Sequence, residues 1–150
     1  MKIILAYATN SGGTYFASEI IKQLLEEKGH QVNMQEVHAV DPRTILEYDL
    51  TIFGSNTWNY DNKEGQPHTW FLKFAESFRA NSFSGKKFAV FVLGDSSYAQ
   101  FAGSAHHLES MIKDQHGDIL LPALKIDGYY RDEKKSQKML ENWVHDILKK

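Results

Sequence analysis

The stretch KIILAYATNSGGTYFASEIIKQLLEEKG, Lys2–Gly29, places a strand, a glycine-rich turn and a helix in immediate succession. The part up to Ala8 is almost continuously apolar, which is typical of a strand buried on both faces of a parallel sheet. Beyond the turn, apolar residues recur in adjacent pairs four residues apart over Phe16–Leu25. This spacing predicts a helix from about Thr14 to Lys28, with Gly29 as its stop. A strand followed directly by such a helix is the repeating unit of an α/β protein.

The rest of the chain repeats this unit. Further strands are predicted at Val32–Val37, Leu50–Gly54, Phe88–Leu93 and Ile119–Ile126, and helical apolar stripes begin at Trp70, Ala105 and Met139. The alternation implies a parallel sheet with helices on both faces. The first, third and fourth strands are the most apolar and belong at the centre, whereas Pro122 suits an edge position for the fifth. We therefore expect one α/β domain over residues 1–150, with a doubly wound five-stranded parallel sheet in the order 2-1-3-4-5.

Composition excludes several classes of chemistry. The 150 residues include no cysteine, which excludes disulfides, thiolate catalysis, iron–sulfur clusters and thiolate zinc sites. Any redox chemistry must therefore come from a bound cofactor. The formal net charge of −2 gives no indication of nucleic-acid binding. The apolar runs are too short to span a membrane, and no signal pattern precedes the first strand, so we expect a cytoplasmic protein.

Three loops should meet at the carboxyl ends of the strands of this sheet. Ligands of doubly wound sheets bind outside the carboxyl ends of the strands, where the strand order reverses. Here that point lies between the first and third strands, with the fourth beside them. The loops are the phosphate loop TNSGGT (residues 9–14), the second loop SNTWNYD (residues 55–61) and the third loop GDSSYAQF (residues 94–101). All three are rich in small polar residues and two carry aromatic residues.

The phosphate loop has the composition of an anion site. A helix N-terminus offers unpaired N–H groups and the positive end of the helix dipole, and glycines let the backbone approach an anion closely. Thr9, Ser11 and Thr14 add hydroxyl donors. A dianionic monoester phosphate needs no more than this. The absence of a Walker lysine and of G-x-G-x-x-G argues against nucleoside triphosphates and dinucleotides. The alternative is a structural turn with Thr14 as the helix cap.

Trp58 and Tyr98 lie in the second and third loops, each flanked by small polar residues. Taken singly, each aromatic ring is interpreted most simply as a packing residue. Because the two loops should face each other, the pair could instead enclose a flat aromatic ring between them. We keep both interpretations open on the residues alone.

These motifs resemble those of the flavodoxins, small electron carriers that bind flavin mononucleotide (FMN), over nearly the whole chain. Thr9–Thr14 is similar to the family's T/S-x-T/S-G-x-T phosphate loop, and Thr57–Tyr60 is similar to its isoalloxazine loop. Gly94–Tyr98 with Phe101 is the most specific match, and Leu124–Gly128 also resembles the family. The fifth strand lacks an insertion of about 20 residues, so the resemblance is to the short-chain type.

The resemblance implies an FMN site with assigned roles. The phosphate loop would hold the phosphate, Trp58 the inner flavin face and Tyr98 the outer face. Backbone groups near Asp95 would bond the pyrimidine edge, and a peptide of Asn59 would face N5. The implied cofactor-binding residues are Thr9, Asn10, Ser11, Gly12, Gly13, Thr14, Ser55, Asn56, Thr57, Trp58, Asn59, Tyr60, Leu93, Gly94, Asp95, Tyr98 and Phe101.

The implied function is that of a monomeric, low-potential one-electron carrier that is not an enzyme. Its FMN would shuttle between semiquinone and hydroquinone, with flavodoxin reductase-type donors and acceptor enzymes as redox partners. One alternative is an FMN accessory protein, or a domain like that of diflavin reductases, serving a single enzyme. Another is a flavin-dependent quinone reductase, against which Tyr98 over the ring argues.

Some residues are expected to be structural. Tyr15 and Phe16, directly behind the phosphate loop, are interpreted as helix packing, and Trp70 and Trp143 as core residues. The sequence predicts no conformation for the polar segment Tyr60–Pro67.

Overall fold

The computed structural model describes residues 1–78 and 82–150, apart from the side chain of Phe78. Within these ranges the chain forms eight strands and four α-helices. The strands are β1 (Lys2–Ala8), β2 (Gln31–Glu36), β3 (Leu50–Asn56), β4 (Trp58–Tyr60), β5 (Lys63–Gln66), β6 (Lys87–Gly94), β7 (Asp118–Ile119) and β8 (Leu124–Asp127). The helices are α1 (Gly13–Glu27), α2 (Thr69–Phe78), α3 (Ser104–Asp114) and α4 (Glu133–Ile147). In the described ranges, no helix combines the length and apolar character that crossing a membrane requires.

The main sheet confirms the predicted strand order. It runs β2-β1-β3-β6, and β7 and β8 follow one another along the outer edge of β6. All of these pairs are parallel. The predicted fifth strand is thus present but divided. Pro122 lies in the break, and its ring nitrogen carries no hydrogen to donate to the neighbouring strand.

Helices cover both faces of the sheet. On one face, Ile3 and Leu5 of β1 pack with the buried residues of α1 and α4. On the other face, Ile4 and Ala6 pack with α2 and α3. Alternate residues of one strand therefore enter different cores, which explains why β1 is apolar without interruption.

A close contact between β3 and β6 fixes the centre of the sheet. Gly54 pairs with Phe91, and a Cβ at position 54 would overlap the Phe91 ring. Phe91 is fully buried and packs edge-to-face against Trp143 of α4. Glycine at position 54 therefore makes room for a large core side chain just below the site.

The parallel register brings the predicted loops together. Ala8 at the end of β1 pairs with Ser55, and Asn56 at the end of β3 pairs with Leu93. The phosphate loop, the second loop and the third loop therefore leave the sheet side by side.

The interpretation of Tyr15 and Phe16 as packing residues holds for Tyr15, whose ring packs on Tyr7, and only in part for Phe16. Phe16 is 52% exposed and Tyr15 is 38% exposed, and their rings contact each other. The buried stripe of α1 instead runs through Ala17, Ile21 and Leu25. Phe16 lies about 100° around the helix from Ala17, which turns it away from the sheet. Trp143 is buried as predicted, whereas Trp70 is half-buried.

Candidate functional site

The phosphate loop forms a tight turn at the N-terminus of α1. Gly12 is the helix cap, with φ of +89°, a left-handed conformation that favours glycine. Its N–H donates to Thr9 Oγ1 at 2.9 Å, which closes the loop on itself. A Cβ at Gly13 would lie 2.9 Å from Leu93 Cδ2, too close for any side chain without a shift. The backbone conformation therefore favours glycine at position 12, and a side chain at position 13 would have to displace the Leu93 methyl group.

Thr14 is not the helix cap, which excludes the structural role considered for it above. It is 1% exposed, and its Oγ1 has no hydrogen-bond partner among the described residues. A buried hydroxyl without a partner costs about 1–3 kcal/mol. The N–H groups of Gly13 and Thr14 lie in the first helical turn, where no intrahelical acceptor exists. The Thr14 hydroxyl and the N–H groups of Gly13 and Thr14 are therefore donors that an acceptor outside the helix could satisfy.

Two adjoining cavities lie above the carboxyl ends of the strands. The loop cavity has a volume of about 270 Å³ and is lined by Thr9, Ser11, Gly13, Thr14, Asn56, Thr57, Leu93, Gly94, Asp95, Tyr129 and Tyr130. The aromatic cavity has a volume of about 180 Å³ and is lined by Thr57, Trp58, Asn59, Glu64, Gly65, Asp95, Tyr98, Gln100, Phe101 and Ala102. Thr57 and Asp95 line both. One elongated ligand can therefore occupy the two cavities together.

Four of the residues assigned to the site line neither cavity. Asn10 is exposed at the outside of the phosphate loop, and Gly12 contributes the turn. Ser55 is fully buried; its Oγ donates to the Asn56 carbonyl at 2.9 Å and accepts from the His68 N–H at 3.0 Å. Tyr60 is 42% exposed and lies against Trp58. Ser55 and Tyr60 support the neighbouring residues instead of facing the cavities.

The Trp58 ring is fixed by its neighbours. It is nearly parallel to Tyr60, with centroids 5.8 Å apart, and to His68, with centroids 6.0 Å apart. Its Nε1 donates to the Pro67 carbonyl at 3.1 Å. His68 is 6% exposed, and burial holds the pKa of its imidazole below the ordinary value. Its Nδ1 accepts from the Trp70 N–H at 3.1 Å, which places the proton of the neutral ring on Nε2. The buried, neutral His68 ring thus packs against Trp58 and helps to fix its orientation in the lining of the aromatic cavity.

The segment Tyr60–Pro67, for which the sequence predicts no conformation, folds back as a β-hairpin. Asp61 and Asn62 have φ of +54° and +58°, as a two-residue turn between hairpin strands requires. The pairing register shifts at Gly65, which has φ of +71° and marks a bulge. A Cβ on Gly65 would meet Gln100 Cβ at 2.9 Å. The hairpin therefore packs against the third loop and closes one side of the aromatic cavity.

Carboxylates organise the third loop. Asp95 accepts from the Ser97 N–H and hydroxyl at 2.9 and 2.7 Å. Asp127, after β8, accepts from the Ser96 N–H and hydroxyl at 2.9 and 2.6 Å. These hydrogen bonds hold the pKa of both carboxyls below the ordinary value, so both are ionised at neutral pH. The Arg131 guanidinium bonds Asp127 at 2.6 Å and lies 3.8 Å from Asp95.

Tyr129 and Tyr130 line the loop cavity, although the sequence does not predict them as site residues. They follow β8, and the fifth strand is expected at the edge of the sheet, away from the site. The one available signal is their position directly behind Leu124–Gly128, a stretch that resembles the family.

Among the described residues, no group of His, Cys, Asp or Glu side chains is arranged to hold a metal ion. His106 and His107 are adjacent on α3, and their ring centroids lie 6.1 Å apart. The lining of the two cavities combines backbone groups, hydroxyls and aromatic rings with the carboxylates of Glu64 and Asp95.

Known proteins with similar sequences and structures agree with this architecture. The sequence model of the family described as Flavodoxin matches residues 5–143. The chain is 35% identical over 150 residues to a probable flavodoxin 2 of Bacillus subtilis, covering 99% of this chain and 95% of the relative. It is 32% identical over 127 residues to a flavodoxin of Nitratidesulfovibrio vulgaris, covering 84% of each. The crystal structure of oxidised flavodoxin 2 from Bacillus cereus superposes with a TM-score of 0.89 at 29% identity, covering 99% of both chains. The chain belongs to the flavodoxin family.

Proposed function

We propose that this chain is a low-potential one-electron carrier that binds FMN without a covalent bond. Flavodoxins are electron carriers, and the site offers one cavity suited to the phosphate of FMN and another suited to its flavin ring. The observation that carries the proposal is the pair of adjoining cavities, with the unpaired Thr14 hydroxyl in one and Trp58 and Tyr98 lining the other.

The loop cavity suits the phosphate. The Thr14 hydroxyl, the N–H groups of the first turn of α1 and the Ser11 side chain would donate to its oxygens. The positive end of the helix dipole favours the same charge. No lysine or arginine lines the cavity among the described residues, and none is needed, because the phosphate is held and not transferred.

The aromatic cavity suits the flavin ring. Trp58 would lie on its inner face and Tyr98 on its outer face, and the rings supply apolar, quadrupolar surfaces for stacking. Tyr98 is 61% exposed in this structure, so stacking on a ligand would cover an otherwise open ring. Asn56 Oδ1 is a buried acceptor without a partner in the described chain. It would accept a hydrogen bond from the part of FMN between the phosphate and the flavin ring.

FMN supplies the one-electron chemistry, and the chain supplies its electrostatics. Asp95 and Glu64 line the cavities, and their charges disfavour further negative charge on a neighbouring group. Such surroundings lower the potential of the second electron. A peptide of Asn59, which lines the aromatic cavity, would accept a hydrogen bond from a proton-bearing nitrogen of the ring through its carbonyl.

The Asn59 assignment has its own test. Asn59 lies opposite the shift in the hairpin register, where Glu64 and Gly65 face a single residue. We expect Asn59→Gly to keep or increase the yield of the one-electron-reduced form, because glycine tolerates the positive φ that a peptide flip needs. A lower yield would show that the Asn59 side chain makes a specific contact instead.

The carrier would act as a monomer in the cytoplasm, receiving electrons from flavodoxin reductase-type donors and passing them to acceptor enzymes. It would turn over no substrate of its own.

Titration of the full chain with FMN tests the proposal. We expect one FMN per chain, with riboflavin binding more weakly because it lacks the phosphate. A chain that takes up no FMN, or binds riboflavin equally well, would contradict the proposed site.

A further inference from the structure

The Tyr130 side chain contacts the phosphate loop. It lies in the turn between β8 and α4, and its hydroxyl donates to the Ser11 carbonyl oxygen at 3.1 Å. A Cβ on Gly12 would lie 3.4 Å from the same hydroxyl oxygen. A tyrosine from the far end of the chain therefore packs directly on the loop that precedes α1.

This contact completes the fixation of one peptide group. The carbonyl of the Ser11–Gly12 peptide accepts from Tyr130, and its N–H donates to Thr9 Oγ1 at 2.9 Å. The C=O and N–H of a trans peptide point in opposite directions within one plane. Two hydrogen bonds at opposite ends therefore set the orientation of that plane. The N–H groups of Gly13 and Thr14 follow immediately, so their direction depends on it.

The turn that carries Tyr130 is held in place by hydrogen bonds within the protein. The Gly128 N–H donates to the Gly94 carbonyl at 2.9 Å, and the Arg131 N–H donates back to the Gly128 carbonyl at 2.9 Å. The Arg131 guanidinium bonds Asp127 at 2.6 Å. The turn that carries Tyr130 is thus anchored to the end of β6, and the anchor involves no ligand.

The Tyr130 hydroxyl has a single O–H, and it donates this hydrogen bond to the Ser11 carbonyl oxygen, so it has no second hydrogen to donate to a ligand. Tyr130 therefore acts on a ligand through the loop. We propose that Tyr130 is a positioning residue that holds the phosphate loop in its binding conformation before the ligand arrives, and so contributes to the selection of FMN over riboflavin. This inference rests on the proposed function.

Tyr130→Phe tests it by removing the hydroxyl alone. We expect the Kd for FMN to rise about fivefold, the size of one neutral hydrogen bond, and the Kd for riboflavin to change less than about twofold. In the flavin-free full-length chain, amide hydrogen exchange over residues 9–14 should become faster, because the Ser11–Gly12 peptide loses one of its two ties.

Tyr15→Phe is the matched control, since Tyr15 is a nearby, 38% exposed tyrosine whose ring packs on Tyr7 and Phe16. It should leave both Kd values and the exchange rates unchanged. An unchanged FMN Kd in Tyr130→Phe, or equal weakening of FMN and riboflavin, would overturn the inference while leaving the proposed function standing. Failure of the wild-type chain to bind FMN would overturn the proposed function and, with it, the selectivity assigned to Tyr130.

Discussion

Replacing Thr14 by valine should raise stability and lower FMN affinity at the same time. The side chain is 1% exposed, and its Oγ1 has no partner among the described residues. Valine has nearly the same shape and replaces the hydroxyl by a methyl group. In the flavin-free chain the substitution therefore removes an unsatisfied polar atom from the interior, whereas in the proposed FMN complex it would remove a donor to the phosphate.

The two effects have opposite signs and separate sizes. Relief of a buried, unpaired hydroxyl should raise the free energy of unfolding of the flavin-free chain by about 1 kcal/mol. A hydrogen bond to a charged group contributes about 1.5–3 kcal/mol, so the Kd for FMN should rise on the order of 10- to 100-fold. Riboflavin carries no phosphate, and its Kd should change little.

Ser18→Ala is the matched control, because Ser18 is a buried hydroxyl on the same helix that does have a partner. Its Oγ donates to the Thr14 carbonyl at 2.7 Å. This variant should lose about 1 kcal/mol of stability and keep its FMN affinity. Urea unfolding of the flavin-free chains and fluorescence titrations with FMN and riboflavin give the required values.

A Thr14→Val chain that is less stable without flavin, yet binds FMN as tightly as the wild type, would refute the assigned role. That result would mean that the Thr14 hydroxyl is satisfied inside the protein and serves its structure. Equal losses for FMN and riboflavin would likewise contradict a contact to the phosphate.

Three further substitutions probe the stacking ring, the sheet centre and the support of Trp58. Tyr98→Ala should weaken FMN binding by about 1 kcal/mol and raise the second one-electron potential, as measured by titration and potentiometry; unchanged values would exclude stacking. Gly54→Ala should lower the free energy of unfolding by about 1–3 kcal/mol in urea titrations, because its Cβ would overlap the Phe91 ring. Because the folded-state pKa of His68 lies below its ordinary value of 6.5, the free energy of unfolding is highest above pH 6.5. It decreases as the pH falls from 6.5 toward the folded-state pKa. His68→Asn should therefore flatten the decline of unfolding free energy below pH 6.5, by up to about 1.4 kcal/mol per pH unit.

The sheet was predictable because its strands are buried on both faces. Continuous apolar runs such as β1 and β6 mark central strands, and Pro122 marks the broken edge strand; together with the usual order of doubly wound sheets, these signals predict the strand order. The start of α1 was less predictable. Its pairs of apolar residues did not distinguish Phe16, which faces away from the sheet, from Ala17, which is buried.

The anion-binding part of the site was predictable, because its residues lie together in one short loop. Gly12, Gly13 and the hydroxyls around them indicate an anion from the sequence alone. The contributions of Tyr130 and of the hairpin were not predictable, because each depends on contacts between distant residues. Tyr130 meets Ser11 across 119 positions, and Gly65 meets Gly103 only after both chain segments are folded.

An anaerobic reductive titration of the FMN-loaded chain, followed by absorption and potential, tests the proposed one-electron function most directly. We expect two separate one-electron steps, with the one-electron-reduced form accumulating in high yield and the second potential well below the first. A single two-electron step without that form would contradict a one-electron carrier.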